Sequence, residues 1–169
     1  MSINEGFQPI ADEKASVLIL GSMPSVASLQ AKQYYAHPRN AFWMIMGELF
    51  GANPELDYQQ RQKLLMVHHI AVWDVLQSGY RCGSLDANID MKSIQVNDFA
   101  GFYTHHPAIS LVFFNGGMAE KMYRQRVLPK LVQEFNHLRY QRLPSTSPAH
   151  ASLTLPQKMV AWQVIKQAT

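Results

Sequence analysis

Five stretches of this 169-residue chain carry polar side chains at spacings that chemistry can use. Gly21-Ser22-Met23-Pro24-Ser25 breaks an apolar run, and Tyr34-Tyr35-Ala36-His37-Pro38-Arg39-Asn40 follows it. Asp74 lies near the end of a second apolar run, HIAVWDVL. Asn115 closes a third, ISLVFFN, just ahead of Gly116-Gly117. Pro144-Ser145-Thr146-Ser147-Pro148-Ala149-His150 follows a fourth. A carboxamide such as Asn115 offers both a donor and an acceptor. A carboxylate such as Asp74 can hold a water or steady a developing positive charge. Consecutive hydroxyls and backbone N–H groups, as at 145–147, can grip phosphates without reading sequence.

Each residue also has a plainer use. Asn40 can cap a helix, and Asn115 can serve the turn at the glycines. Asp74 can be a strand-end cap or an ion-pair partner, 144–148 a Ser/Pro turn, and Arg39 a solvated surface residue. Phe42 shares a helical face with Ile45, Met46 and Leu49, which is the pattern of a core residue. Some chemistries are disfavoured. The pairs His68-His69 and His105-His106 are adjacent, not spaced to put two ligands on one helix face, so no metal is expected. No lysine lies within the five stretches, which gives no support to an imine-forming step. The 21–25 turn lacks both the central serine of a hydrolase elbow and the glycines of a phosphate loop.

The elements that must position these residues can be read from periodicity. Short continuous apolar runs at 15–20, 69–76 and 109–115 predict buried strands, and a more polar run at 138–143 predicts a strand at an edge. Between them the spacing predicts a short helix or loop at 25–33, a helix opening at Phe42 and ended by Gly51, and a helix at 58–68 capped by Asp57. Further helices are predicted from Asn97 or Asp98 to Tyr103, over 118–136 with a kink at Pro129, and over 155–167. Residues 77–90 are rich in turn formers and read as a loop over a site. Strands alternating with helices predict an α/β fold with a mostly parallel sheet. Such a sheet gathers its functional groups where the carboxyl ends of its strands converge. Residues 1–14 read as an irregular lead-in, and 15–169 as a single domain.

Composition agrees with this organisation. A hydrophobic fraction of 47% against 16% charged residues describes a globular chain rather than a disordered one. The net charge of +3 permits nucleic-acid contact through dispersed residues without demanding it. One cysteine excludes an internal disulfide and a thiolate-held iron–sulfur cluster. No signal peptide or membrane span is expected, so the protein is placed in the cytoplasm.

The five motifs GSMPS, YYAHPRNAFW, WDV, FNGGMA and LPSTSPAH, in this order, resemble the uracil-DNA glycosylase superfamily. The branch they resemble most is the hypoxanthine-DNA (DNA-deoxyinosine) glycosylases, family 6, over roughly residues 15–165. The resemblance implies a three-layer α/β/α sandwich around a central four-stranded parallel sheet. It also implies hydrolytic excision of a deaminated base from double- or single-stranded DNA. No cofactor, metal or membrane partner is expected, and the protein is expected to be a monomer, associated with the nucleoid when it acts on DNA. Such an enzyme flips its target base into a pocket. Better-known branches often carry Asp or Asn in the first loop, where this chain has Ser22 and Met23; a methionine cannot activate water, so the resemblance moves that role to Asn40. Asp74 is a second candidate for guiding water, and His150 for the departing base. Phe42, Asn115, Gly21, Ser22 and Met23 are expected to bind the base. Pro24, Ser25, His37, Arg39, Ser145, Thr146 and Ser147 are expected to hold the DNA backbone. The wedge that fills the emptied stack is expected in 77–90, with Arg81 as its candidate. Uracil excision, including from G·U mismatches, is the alternative within the superfamily. A non-catalytic lesion reader and an enzyme of nucleoside or small-molecule metabolism are the alternatives outside it.

Overall fold

The computed structural model describes residues 2–169. Its centre is a parallel sheet of four strands, β2 (Val17–Gly21), β3 (Ile70–Asp74), β6 (Leu111–Asn115) and β7 (Arg139–Leu143), in the order β3-β2-β6-β7. Every residue of β2 and β3 is buried, which is why both read as unbroken apolar runs. β7 takes the edge and is largely solvent-facing, as its polar sequence predicts. The register aligns Gly21 with Asp74, Leu20 with Phe114, and Asn115 with Leu143. The strand ends that carry the functional groups therefore finish at one level.

Helices cover both faces. On one side α2 (Phe42–Phe50), α3 (Tyr58–Val67) and α6 (Leu155–Trp162) meet through edge-on aromatic pairs, Phe42 with Trp162 at 6.2 Å and Trp43 with Tyr58 at 6.0 Å. Elsewhere α4 (Phe99–His105) and α5 (Gly117–Arg126) share the contact of Phe99 with Tyr123 at 5.2 Å, and Phe99 packs on Trp73 of β3 at 5.1 Å. The short α1 (Val26–Ala31) follows the first loop, and α7 (Val164–Ala168) ends the chain. The termini of these helices follow from side chains. Asp57 and Gln60 form a reciprocal capping box on α3, Thr154 and Gln157 do the same on α6, and Asp98 caps α4. Gly51 ends α2 at φ 76, a conformation that glycine adopts without strain.

Three local expectations change. The helix predicted over 118–136 stops at Arg126, and the chain continues as two 3-10 turns, Leu128–Lys130 and Gln133–Phe135. Pro129 has no N–H to continue the helix and disfavours helical backbone just before it, so it ends the helix instead of kinking it. The strand predicted over 69–76 is two strands, β3 and β4 (Leu76–Gly79). β4 pairs antiparallel with β1 (Asn4–Glu5) and β5 (Gln95–Val96) in a small second sheet. The first residues are thus tied to the domain. Ile10 and Val72 exchange two backbone hydrogen bonds of 2.8 Å each. No helix among the described residues is long and apolar enough to cross a membrane.

Candidate active site

A cavity of about 280 Å³ opens where β2, β3, β6 and β7 end. The turn after β2 forms one wall. Met23 and Pro24 are buried in it, and Ser25 caps α1 by accepting from the Ser28 N–H at 3.1 Å. Residues 80–90 are fastened onto this turn. Ser22 Oγ donates to Asp86 Oδ1 at 2.7 Å, and the Val26 N–H donates to Ser84 Oγ at 2.9 Å. Arg81 pairs with Asp86 at 3.4 Å and donates to the carbonyls of Gly83 and Pro24. With its side chain only 1% exposed, Arg81 is a latch and not a wedge, which corrects the expectation for it. The exposed residues of this loop in the cavity lining are Ser84 and Leu85, and Leu85 is the apolar one.

The second wall is the 34–40 segment. Ser28 Oγ accepts from the Ala36 N–H, Tyr34 Oη donates to the Gln8 carbonyl, and the Trp43 indole donates to the Tyr34 carbonyl at 2.7 Å. Tyr35 has φ 54, a left-handed conformation that a bulky residue rarely adopts. Its ring stacks on Phe42 with centroids 4.1 Å apart. Phe42 is wholly buried and does not line the cavity, so it cannot be the stacking platform expected for it. The first residue of α2 points into the core, and Tyr35 lies between it and the cavity. Asn40 does line the cavity, and its Oδ1 accepts from the Phe42 N–H at 2.9 Å. Capping thus uses one lone pair and leaves the rest of the amide for other partners. His37 and Arg39 lie outside the cavity lining, with Arg39 exposed.

The third wall is the loop after β7. Asn115 and Thr146 exchange two hydrogen bonds of 2.9 Å each, Thr146 N–H to Oδ1 and Nδ2 to Oγ1. Much of the Asn115 amide is therefore spent on clamping this loop to β6. The Ala41 N–H donates to the Thr146 carbonyl at 3.0 Å, which joins the second wall to the third. Lys158 and Trp162 hold the loop from behind through the carbonyls of Ser147 and Pro144. Ser145, Thr146, Ser147 and His150 all line the cavity.

The floor is Gly21, Asp74 and Asn115. Asp74 is 3% exposed, and its Oδ2 meets no hydrogen-bond partner among the described residues. Burial, reinforced by the nearby Asp86 carboxylate and opposed by Arg81, pushes the Asp74 carboxyl up to about 7 from the ordinary 3.8. Burial, then the Asp74 charge, likewise raises the Tyr35 phenol, with the Asn115 side chain working the other way. Asp86 is raised by burial, with the Ser22 hydrogen bond and Arg81 working the other way.

No protein-family model matches the chain. A protein of Methanosarcina acetivorans named hypoxanthine DNA glycosylase is 37% identical over 136 residues, which span 75% of this chain and 85% of that relative. The chain belongs to this glycosylase family. A hypoxanthine DNA glycosylase of Methanosarcina barkeri is 39% identical over 113 residues, spanning 66% of this chain and 70% of the relative. The solution NMR structure of a Methanosarcina acetivorans protein provisionally named a uracil DNA glycosylase superposes with a TM-score of 0.80 at 31% identity, covering 99% of both chains. Fold and family thus agree with the resemblance carried by the five motifs, and all five contribute residues to the cavity. The Tyr35, Arg81 and Asp86 arrangement is specific to the fold. No local pattern marks Arg81 as partner to a turn 57 residues away in sequence.

Proposed function

We propose that this glycosylase excises hypoxanthine from deoxyinosine in DNA by simple hydrolysis, leaving a free base and an abasic site. The observation that carries the reading is the convergence of all five motifs on one cavity at the strand ends. At about 280 Å³ it lies near the small end of ligand pockets, suited to one flipped base rather than a dinucleotide. The names of the two curated relatives support hypoxanthine as that base. Asn40 guides the attacking water toward C1′, using the part of its amide that capping leaves free. Asn115 and His150 contact the base. Tyr35, held in place by its stack on Phe42, lines the pocket with its hydroxyl toward the floor. Ser25, His37, Arg39 and the hydroxyls of 145–147 hold the backbone around the opening. Leu85, 54% exposed beside the mouth, is the apolar wedge that fills the vacated stack, a task that suits leucine. The protein acts as a monomer on nucleoid DNA in the cytoplasm.

The test is single-turnover incubation with labelled duplexes carrying one deoxyinosine or one deoxyuridine, followed by alkali to reveal abasic sites. Deoxyinosine DNA is cleaved, and Asn40→Ala slows cleavage by roughly 10²–10⁴-fold while the variant still folds. Cleavage confined to deoxyuridine would transfer the activity to uracil. Binding without cleavage of either would make the protein a lesion reader and refute the proposal.

A further inference from the structure

Two oxygens in the cavity have no work assigned to them. Asp74 Oδ2 and Tyr35 Oη are both buried, and neither makes a hydrogen bond of good geometry among the described residues, although the Asn115 side chain lies close enough to Tyr35 to ease the rise of its phenol. Leaving a polar atom buried and unpaired costs free energy, so each calls for an explanation. Here there are two, at one place. A Cβ added to Gly21 would lie 2.6 Å from Asp74 Oδ1 and 2.8 Å from Tyr35 Oη. Gly21 is not among the residues of positive φ, so its glycine serves space and not backbone conformation. Any side chain there would plug the gap that both groups border.

Burial first, and then the Asp86 carboxylate, favours the acid form of Asp74. Asp86 faces it from the 80–90 loop, Tyr34 and Tyr35 from the second wall, and His150 lines the same cavity from the third. The nearby cation is Arg81, whose guanidinium is engaged by Asp86 and by the carbonyls of Gly83 and Pro24. A purine departs with the electron pair of its glycosidic bond. An ionised Asp74 would oppose that charge, whereas a carboxylic acid can neutralise it.

This step rests on the glycosylase reading above and gives Asp74 a role at the base instead of at the water. We propose that Asp74, as a carboxylic acid beside Tyr35 over Gly21, is the general acid that protonates N7 of the departing hypoxanthine while the Tyr35 hydroxyl donates to O6. The carboxyl proton of Asp74, on the side of Oδ1 that borders Gly21, passes to N7. The C1′–N9 bond breaks with both electrons going to the base, which leaves as neutral hypoxanthine. Water adds to the C1′ cation, and the proton it releases restores the Asp74 acid through solvent. Two donors side by side match an edge on which O6 and N7 both accept. Adenine, the parent base, offers a donor where hypoxanthine has O6, so the Tyr35 hydroxyl cannot donate to it there. Guanine shares that edge and has to be told apart at C2. Uracil has no N7.

The experiment is a single-turnover pH series on deoxyinosine and 7-deaza-deoxyinosine duplexes with the native protein, Asp74→Asn and Tyr35→Phe, alongside duplex binding by fluorescence anisotropy. The native rate on deoxyinosine is level below pH about 7 and falls tenfold per unit above it. Asp74→Asn binds the duplex as tightly but is slower by roughly 10²–10⁴-fold and loses the pH dependence. Tyr35→Phe is slower yet keeps the slope. On the 7-deaza duplex, which has no N7 to protonate, Asp74→Asn produces no further loss. A rate that rises with pH through this range would make Asp74 a base and overturn the proposal. A slope that survives in Asp74→Asn, or an equal Asp74→Asn loss on both duplexes, would also overturn it. A native protein inert on deoxyinosine at every pH would instead overturn the glycosylase reading itself.

Discussion

Asp74→Asn tests the electrostatics of the site without any DNA. The native carboxyl holds its proton to about pH 7, while the unfolded chain releases it near 3.8. Between these values the native state binds more protons than the unfolded one. Its stability from this residue is therefore complete below about pH 4 and is lost as pH rises to about 7. The gap between the two values corresponds to about 4 kcal/mol, of which about 2.5 kcal/mol falls between pH 5 and pH 8. That is a large share of the ~5–15 kcal/mol that stabilises a domain. The neutral amide of asparagine has no such dependence. Urea unfolding, followed by the fluorescence of the buried Trp43, Trp73 and Trp162, measures both proteins at the two pH values. The variant should gain about 2.5 kcal/mol on the native protein between pH 5 and pH 8. Parallel curves, or a native protein that gains relative to the variant as pH rises, would refute the account of Asp74 as a buried acid.

Two further predictions probe the walls of the cavity. Gly21→Ala places a methyl against Asp74 and Tyr35 on a fully buried strand, so it should cost roughly 1–3 kcal/mol of stability and abolish excision. Binding to undamaged duplex, measured by anisotropy, should survive, because the backbone-gripping loops are untouched; loss of both together would mean that the fold itself had given way. Leu85→Ala should slow excision from duplex DNA about tenfold, a loss of a few contacts worth about 1.4 kcal/mol, and leave excision from single strands unchanged, since only a duplex has a gap to fill. An equal effect on both substrates would remove Leu85 from the wedge role.

Much of this architecture is written in local sequence. The four parallel strands, the helix from Phe42 to Phe50 with its terminal glycine, and the Asp57 cap all follow from periodicity and end signals that act within a few residues. The small antiparallel sheet does not. β1 and β5 are two residues each, and what makes them strands is a partner, β4, found only after folding. The end of α5 was legible in principle, because Pro129 marks it, but the apolar spacing beyond that proline mimics a continuing helix. The site divides in the same way. The strand-end residues and most of the residues singled out in the motif loops, His37 and Arg39 excepted, reach the cavity because the sheet delivers them there. The reversal at Phe42 comes from Tyr35, whose left-handed backbone brings a second ring over the first. Helical spacing identifies Phe42 as apolar and inward-facing but says nothing of what covers it.

The alignment of Gly21 with Asp74 and of Asn115 with Leu143 has a consequence for how the protein acquires its activity. A parallel strand displaced by two residues keeps its inward face but moves its end by about 6.6 Å, more than the reach of a hydrogen bond. The cavity floor is thus a readout of sheet register. These strands are joined only through crossovers, so their pairing depends on distant parts of the chain, which slows folding. A nascent or truncated chain that lacks the last strand and its loop has no Thr146 to engage Asn115 and no third wall. The cavity is therefore complete only when the last strand and its loop are docked.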